Sequence, residues 1–304
     1  MQIPSIPRPY LAFSGDFSIE DLPFPLLAST KIDGVRALIH QGQVFSRTGK
    51  LIPNRHVQEV FGLPELEGFD GELCVGPANA PNLMQATVSG VMSKERIPDV
   101  TFFAFDLFNS PLPFEKRTLL LMERTLALDP KIPTHTLSQI KCFFPEELLS
   151  LEEDILSRNY EGVILRSPHG YYKNGRSTLK EFFSPKGGML KLKRFSQEEA
   201  TVLSILPAQE NFNEAFANEI GYTKRSTSKE NLLTKEELGT FVCTSPNWPV
   251  RFGVAPGHLT REERIHIWKN QASFIGKTLS FKHFPKGSVR APRLPQFVSW
   301  RPPE

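Results

Sequence analysis

The stretch Lys31-Ile32-Asp33-Gly34-Val35-Arg36 places a nucleophilic amine, a carboxylate, a flexible glycine and a permanent cation within six residues. Such groups are the ones that phosphate chemistry needs. Taken alone, the stretch is weak evidence, because Lys-x-Asp-Gly also occurs in surface turns where Asp-Gly reverses the chain. Its meaning therefore depends on the motifs that follow it.

Five further short motifs follow in order along the chain. They are Ser46-Arg47-Thr48-Gly49-Lys50, Asp70-Gly71-Glu72-Leu73, Phe103-Ala104-Phe105-Asp106-Leu107, Glu161-Gly162-Val163-Ile164-Leu165-Arg166 and Leu190-Lys191-Leu192-Lys193. With them the chain resembles the covalent nucleotidyltransferases, and among these the small ATP-dependent DNA ligases of phage and bacterial type. The resemblance spans roughly residues 26 to 301, and six motifs in matching order and spacing are far more specific than any one.

The length of 304 residues exceeds a usual single domain, and 39% hydrophobic content with 24 phenylalanines is enough for two cores. Three cysteines without paired spacing argue against a disulfide framework or a zinc site and favour a reducing compartment. Residues 1–17 contain three prolines and no long apolar run, so we expect neither a secretory signal nor a membrane anchor. The expected location is the cytoplasm, of a bacterium or of a host if the chain is viral.

The net charge of +3 arises in the C-terminal third. Residues 1–196 contain 22 Lys+Arg and 22 Asp+Glu, whereas residues 197–304 contain 14 and 11. Two clusters stand out: residues 171–194 hold seven cations, one acid and four aromatics, and residues 277–301 hold six cations and no acid. A basic run is often a solvated face, but two of them beside phosphate-chemistry motifs favour a nucleic-acid backbone as partner.

The first two-thirds of the chain mixes strand and helix patterns. Residues 101–108 alternate large apolar groups with smaller or polar ones, and residues 162–165 and 189–195 are further strand-like runs. Residues 115–128 and 145–158 show helical patterns. The motifs therefore fall on strands and the loops between them, where side chains converge on a pocket from rigid supports.

The sequence pattern changes after residue 195. A strand at residues 199–206 is followed by residues 209–235, which are polar and are expected to form a functional or mobile loop. Thr260-Arg261-Glu262-Glu263 opens a helix running toward Gly276 with a capping-box pattern. Further short strands are predicted at residues 239–243, 251–254, 278–283 and 296–300.

These elements predict an α+β protein. Five or so short strands with one inserted helix suit an OB-fold barrel, a common nucleic-acid-binding platform. The resemblance implies a nucleotidyltransferase (adenylation) domain at residues 1–196, with antiparallel sheets and flanking helices, followed by an all-β OB-fold domain at residues 197–304.

Lys31 is the candidate nucleophile and is expected on a loop. A free lysine amine has a pKa of about 10.4, so attack on phosphorus requires neighbouring cations or desolvation to lower it. Arg36, Lys191, Lys193 and a bound divalent metal are candidates to supply that positive field. The resemblance implies that the lysine attacks the α-phosphorus of ATP to give lysyl-AMP and pyrophosphate. AMP then passes to the 5′-phosphate of a nick, and the 3′-hydroxyl displaces it.

The resemblance also implies roles for the remaining motif residues. Phosphoryl-type transfer is mostly positioning and charge neutralisation. Lys191 and Lys193, two apart on a strand, are expected to project to one face toward the α-phosphate. Glu161 and Glu72 are the candidate metal ligands, and the expected cofactors are ATP and Mg²⁺ or Mn²⁺. Further nucleotide contacts are expected from the backbone near Thr30 to adenine, from Glu72 to the ribose, from the Phe105 ring to adenine, from Arg36, and from Arg301 to the departing pyrophosphate.

The expected partner is nicked double-stranded DNA, bound by a monomer. Arg36 and Arg47 match positions that touch the nick phosphate or sugar. With about thirty residues before Lys31, we expect no large helical DNA-binding domain ahead of it, so the two core domains and their loops would surround the DNA. Further candidate DNA contacts are Lys50, Lys224, Arg225 and Lys229.

Two departures from the family pattern are visible. The run from Phe182 to Gly188 lengthens the loop before the lysine pair, and Trp300 stands where the family more often has a smaller aliphatic residue.

Three other functions compete with a DNA ligase. RNA ligases and mRNA capping guanylyltransferases use the same lysine chemistry, but the Ser-Arg-Thr-Gly-Lys element and the Arg293-x-Pro-x-Phe ending favour DNA ligase. NAD-dependent ligases are disfavoured because no four-cysteine zinc module is present. A non-catalytic OB-fold nucleic-acid-binding protein is the third alternative, against which the intact motif lysines and glutamates argue. Roles in DNA replication, repair and recombination all stay open.

Overall fold

A computed structural model of the chain describes residues 8–217, 223–226, 228, 231–284 and 290–301. It divides into two compact units, with the main division between Lys193 and Arg194, and Ala217 is grouped with the first unit. The functional boundary expected at 196/197 remains a prediction. Within the described ranges, no helix is both long and apolar enough to cross a membrane.

The first unit contains a four-stranded and a five-stranded sheet, with helices packed around them. Its strands are β1 (Tyr10–Leu11), β2 (Leu26–Lys31), β3 (Val35–His40), β4 (Gln43–Ser46), β5 (Phe69–Val75), β6 (Val100–Leu107), β7 (Thr134–Thr136), β8 (Ile140–Cys142), β9 (Gly162–Arg166), β10 (Gly175–Arg176) and β11 (Met189–Leu192). Its helices are α1 (Arg55–Phe61), α2 (Leu83–Val91), α3 (Phe114–Leu126), α4 (Pro145–Ser157) and α5 (Leu179–Phe182), with a 3-10 turn at Pro64–Leu66.

The two larger sheets are mainly antiparallel. The four-stranded sheet has the order β11-β9-β2-β8, and the five-stranded sheet has the order β4-β3-β5-β6-β7, in which β6 and β7 run parallel. Strands β1 and β10 form a separate parallel pair. The predicted antiparallel sheets with flanking helices are confirmed.

The alternation predicted around residues 101–108 is realised in β6. Phe102 and Ala104 are fully buried in the core of the five-stranded sheet, whereas Phe103 and Phe105 lie half-buried on its other face. Gly71 in the neighbouring β5 must lack a side chain, because a Cβ there would come within 2.6 Å of the Phe102 ring. The sheet therefore has one apolar face in the core and one half-buried face that carries Phe103 and Phe105.

The four-stranded sheet is covered by α4. This helix begins with Pro145 and carries two acids in its first turn, which suits the positive end of a helix dipole. Its buried residues Leu148 and Ile155 pack with Leu26 and Leu165 of the sheet. The helices predicted at 115–128 and 145–158 differ from α3 and α4 by one or two residues at their ends.

The second unit is a closed β-barrel. Its strands are β12 (Ser196–Asn211), β13 (Ala215–Ala217), β14 (Thr223–Arg225), β15 (Leu232–Thr244), β16 (Phe252–Val254), β17 (Thr278–Phe284) and β18 (Arg293–Trp300). The main sheet has the order β16-β15-β12-β17-β18. Ala255, just after β16, bridges Gln296 of β18, so the two outer strands meet and close the sheet. The predicted OB-fold is confirmed.

Aromatic residues fill the barrel and its rim. Phe241 and Phe281 are fully buried, and Phe297 is nearly so. Trp300, the departure from the family pattern, packs against Phe241, Phe274 and Phe297 with ring centroids 5.2 to 5.4 Å apart. Its larger side chain is therefore accommodated by a cluster of aromatic neighbours.

Helix α6 (Arg261–Lys269) is the single α-helix described in the second unit. The predicted capping box is present: Thr260 Oγ1 accepts from the backbone N–H of Glu263, and the Glu263 carboxylate accepts from the backbone N–H of Thr260 at 2.7 Å. The helix ends at Lys269, and a 3-10 turn at Gln271–Ser273 follows, so the helix is shorter than the one predicted toward Gly276.

The prediction of a loop at residues 209–235 is partly wrong. Strand β12 continues to Asn211 and β15 begins at Leu232, and the two pair in register from Gln209 with Thr234 to Asn211 with Leu232. Side chains on both faces of this end of the ribbon are exposed or half-buried. A strand without a buried face has no reason to alternate apolar and polar residues, so the sequence carried no strand pattern here.

Candidate active site

Lys31 lies at the end of a strand, not on the loop that was expected. In the antiparallel order β11-β9-β2, the end of β2, the start of β9 and the end of β11 lie at one edge of the sheet. Lys31 pairs with Gly162 in this register. Gly162 has a φ of 147°, and a Cβ there would lie 2.3 Å from the carbonyl oxygen of Leu192. Glycine therefore lets the three strand ends approach closely.

Glu161 joins two lysines of this edge. Its Oε2 accepts from Lys31 Nζ and its Oε1 accepts from Lys193 Nζ. The Glu161 side chain is only 6% exposed, whereas Lys31 and Lys193 are 22% and 16% exposed. A nearly buried carboxylate thus bridges two cations at a site that is open enough for a ligand to reach the amines.

Lys191 and Lys193 do not share one strand as predicted. Lys191 lies within β11, but that strand ends at Leu192 and Lys193 follows it directly. Desolvation lowers the pKa of Lys191, and the positive charges of Lys31, Arg176 and Arg47 lower it further. This set of cations forms a positive surface beside Lys31, suited to phosphate groups.

Thr30, Arg47 and Lys50 lie near the same elements. Thr30 is half-buried and pairs with Val163 of β9, one step before Lys31. Arg47 and Lys50 lie in the turn after β4, where the backbone N–H of Ser46 donates to the carbonyl of Lys50 at 2.7 Å. This hydrogen bond closes the turn, so the two basic residues are held on a short, tight loop.

Glu72 lies on the face of the five-stranded sheet that carries Phe103 and Phe105. Arg36, Glu72 and Phe103 are cross-strand partners on β3, β5 and β6. Burial raises the pKa of Glu72 to about 7, although the charges of Lys31 and Arg36 act in the opposite direction. Glu72 is therefore close to both the candidate nucleophile and Arg36.

The two outward phenylalanines of β6 have different surroundings. The Phe105 ring lies beneath the guanidinium of Arg36, 4.6 Å from it. Phe103 packs with the cluster of Ile32, Cys74 and Leu83, and its ring centroid lies 5.9 Å from that of His135. Sequence reasoning named Phe105, and the two-residue period of the strand puts Phe103 on the same face.

Arg36 is held by a buried carboxylate. Its Nε and Nη2 donate to the two oxygens of Asp70 at 2.6 Å each, and Asp70 is fully buried. Arg36 Nη2 also donates to the carbonyl of Tyr10 at 3.1 Å. The guanidinium is thus a fixed group rather than a mobile surface cation. Asp70 belongs to one of the sequence motifs but had been assigned no role, and Tyr10 was not singled out by the sequence.

The remaining predicted residues lie in the second unit. Arg301 is about half-exposed and forms an ion pair with Glu199 at 2.5 Å. Arg225 is exposed and donates to the carbonyl of Asn213. The backbone of Lys224 belongs to β14, while its side chain and all of Lys229 lie outside the described residues.

The carboxylates present fit a divalent metal of the magnesium type. No group of three or more His, Cys, Asp or Glu side chains suited to a metal occurs in the part of the chain that the structure describes. Magnesium, however, is usually held by one or two carboxylates together with phosphate oxygens and water. Glu161 contacts Lys31 and Glu72 interacts electrostatically with it, so these two carboxylates would fit such an ion.

Comparison with known proteins decides the family. The model of the "ATP dependent DNA ligase domain" family matches residues 9–182, which is more than half of the chain. The chain belongs to the ATP-dependent DNA ligase family. It is therefore an enzyme of the class that forms phosphodiester bonds with the use of ATP, as the motifs predicted.

Solved structures agree with this assignment. A Chlorella virus DNA ligase-adenylate is 32% identical, and the match covers 99% of this chain and 100% of that one with a TM-score of 0.53. A structure from a study of Lig E DNA ligases is 22% identical, covers 96% of this chain and 98% of that one, and has a TM-score of 0.71, which supports the fold. A search of curated protein sequences gave no match.

Proposed function

We propose that this ligase seals nicks in duplex DNA with Lys31 as its nucleophile. The observation that carries the proposal is the edge of the four-stranded sheet, where Glu161 bridges Lys31 and Lys193. A lysine, a second cation and a nearly buried carboxylate at one point are the groups that an attack on a phosphorus atom requires.

In the first step the Lys31 amine would attack the α-phosphorus of ATP. A nitrogen–phosphorus bond forms, the bond to pyrophosphate breaks, and the amine releases its proton to solvent. Lys193 and Lys191 would neutralise charge on the phosphate oxygens. The cations around Lys191 make this surface positive before the nucleotide arrives, which is how preorganised groups lower such a barrier.

Glu161 and Glu72 would hold Mg²⁺ or Mn²⁺ together with the phosphates. A bound divalent cation supplies Lewis-acid polarisation of a phosphoryl oxygen and offsets its negative charge. Glu161 would then exchange part of its contact with the lysines for the metal. The charge of Glu72, held at a raised pKa by burial, would be favoured by a cation beside it.

Different sets of residues would contact the nucleotide and the DNA. The backbone at Thr30 and the ring of Phe105 or Phe103 would contact adenine, and Glu72 would contact the ribose. Arg36, Arg47 and Lys50 would contact the nick, with Lys224, Arg225 and Lys229 as further DNA contacts of the second unit. Arg301 would orient pyrophosphate.

The functional units would be residues 1–196 for nucleotidyl transfer and 197–304 for the OB-fold. We propose a cytoplasmic monomer. A ligase of this kind would serve DNA replication, repair or recombination.

The test is ATP-dependent closure of a nicked DNA duplex with Mg²⁺, run beside the same nick in RNA and with GTP or NAD in place of ATP. We expect efficient closure of the DNA nick with ATP alone among the three nucleotides. Closure restricted to RNA would place the protein with the RNA ligases, and equal protein labelling by GTP would place it nearer the capping enzymes.

A further inference from the structure

Tyr172 closes a ring of hydrogen bonds around Arg36. Its hydroxyl donates to Asp70 Oδ2 at 2.7 Å and accepts from the backbone N–H of Tyr10 at 3.1 Å. Arg36 Nη2 donates to the same Asp70 oxygen at 2.6 Å and to the carbonyl of Tyr10 at 3.1 Å. The four residues therefore form a closed circuit of hydrogen bonds.

The ring joins four parts of the chain that are distant in sequence. Arg36 and Asp70 come from adjacent strands of the five-stranded sheet. Tyr10 comes from β1. This strand pairs with β10, which begins at Gly175, shortly after Tyr172 in the chain. Tyr10 is 2% exposed and its ring stands edge-on to that of Tyr172, with centroids 5.9 Å apart. The circuit is thus partly enclosed by packing: Asp70 is fully buried, while the Arg36 side chain is 16% exposed.

We infer that Tyr172 is a positioning residue for Arg36 in the steps of ligation that involve the nick. The inference rests on the proposed function, in which Arg36 contacts the nick. Asp70 alone fixes the guanidinium in the plane of a bidentate pair, but that pair can still rotate as a unit. Tyr172 fixes the second Asp70 oxygen, and through the Tyr10 N–H it also fixes the carbonyl that receives Arg36.

The position of Arg36 matters because one face of its guanidinium is already occupied. Phe105 covers that side at 4.6 Å. With Asp70 and Tyr10 taking the Nε and Nη2 donors, Nη1 is the nitrogen for which the ring provides no acceptor. An acceptor on the nick would have to be met by that one nitrogen, so a small rotation of the pair would misdirect it.

The Tyr172 hydroxyl is suited to this role because it keeps its proton. Burial raises its pKa above the ordinary tyrosine value, and the adjacent Asp70 charge raises it further. The hydroxyl therefore remains a donor to Asp70 throughout the pH range in which the enzyme would act.

The test is a double-mutant cycle of Tyr172→Phe and Arg36→Ala. Two rates are measured for each protein under single-turnover conditions: protein–AMP formation from ATP, and closure of a nick that already carries 5′-AMP. The control is Thr87→Val, which also removes a buried hydroxyl that accepts a backbone N–H, from Val75 at 3.0 Å, but outside the site.

We expect Tyr172→Phe to slow closure about tenfold, the loss of one well-placed hydrogen bond to a charged pair. Protein–AMP formation should stay within about twofold, because Arg36 keeps its charge and its pair with Asp70 in this variant. In the Arg36→Ala background the same change should cost less than about twofold, because the group it positions is gone. Thr87→Val should leave both rates unchanged.

Two results would overturn the inference. One is an equal cost of Tyr172→Phe with and without Arg36, which would show that the tyrosine acts on the fold rather than through Arg36. The other is an equal loss in both steps. If the unaltered protein closes no nick at all, the proposed function itself fails, and the inference falls with it.

Discussion

Glu72→Gln is expected to stabilise the first unit at high pH while it abolishes activity. Burial raises the pKa of Glu72 from 4.5 to about 7, with Lys31 and Arg36 opposing the effect. The unfolded chain therefore loses this proton at lower pH than the folded protein does. Folded stability falls as the pH rises from about 4.5 to 7, and above 7 the cost is complete. At 1.36 kcal/mol per pKa unit the cost reaches about 3 kcal/mol, as an upper value.

Glutamine keeps the shape of Glu72 but has no charge to bury, so the variant should be more stable than the parent by up to about 3 kcal/mol at pH 8 and nearly equal to it at pH 4. Urea unfolding of both proteins, followed by far-UV circular dichroism at the two pH values, measures the difference. All three tryptophans lie in the second unit, so their fluorescence gives an internal control that should not respond.

Glu59→Gln serves as a matched change, because Glu59 is exposed on α1. It should alter stability little at either pH. A variant less stable than the parent at pH 8 would refute the claim that burying the charged Glu72 carboxylate lowers the stability of the fold. An equal change in stability at pH 4 and pH 8 would refute that claim too. A gain in stability together with a loss of protein–AMP formation is the pattern of a residue kept for function at the expense of the fold.

Three further changes separate the roles of the other site residues. Phe105→Ala should raise the KM for ATP if Phe105 stacks on adenine, since stacking is worth roughly 1–3 kcal/mol; a normal KM for this variant and a raised KM for Phe103→Ala would move the stacking role to Phe103. Replacing Arg47 and Lys50 with alanine should weaken binding to nicked DNA. The slope of log K against log salt concentration should fall by about 0.9 for each DNA phosphate that the protein no longer neutralises. An unchanged slope would make both residues solvated surface cations. Arg301→Ala should impair protein–AMP formation and spare closure of a pre-adenylylated nick, with Arg251→Ala, an exposed arginine of the same unit, as the control; equal impairment of both steps would exclude a role confined to pyrophosphate.

Local patterns were enough to predict the elements that hold the site. The alternation in β6 and the proline-initiated α4 are short-range features, and the structure shows both within one or two residues of their predicted bounds. The capping box at Thr260 is likewise a contact between residues three apart, which a sequence displays directly.

Contacts between distant residues could not be read in this way. The bridge from Glu161 to Lys31 and Lys193 depends on the register of three strands, and only the motif resemblance suggested that these residues meet. The ring around Arg36 brings together Tyr10 and Tyr172, which are 162 residues apart in the sequence. Nothing in the local sequence of either tyrosine distinguishes it from an ordinary core residue.

The site of covalent labelling by ATP tests the role of Lys31 most directly. The protein is incubated with Mg²⁺ and with ATP that carries a label at its α-phosphate. It is then digested, and the peptide that carries the adduct is identified by its mass. We predict AMP on the peptide that contains Lys31, and no adduct in Lys31→Ala or in Lys31→Arg, since a guanidinium does not deprotonate. Label retained by the alanine variant, or found on another lysine of the parent protein, would contradict Lys31 as the nucleophile.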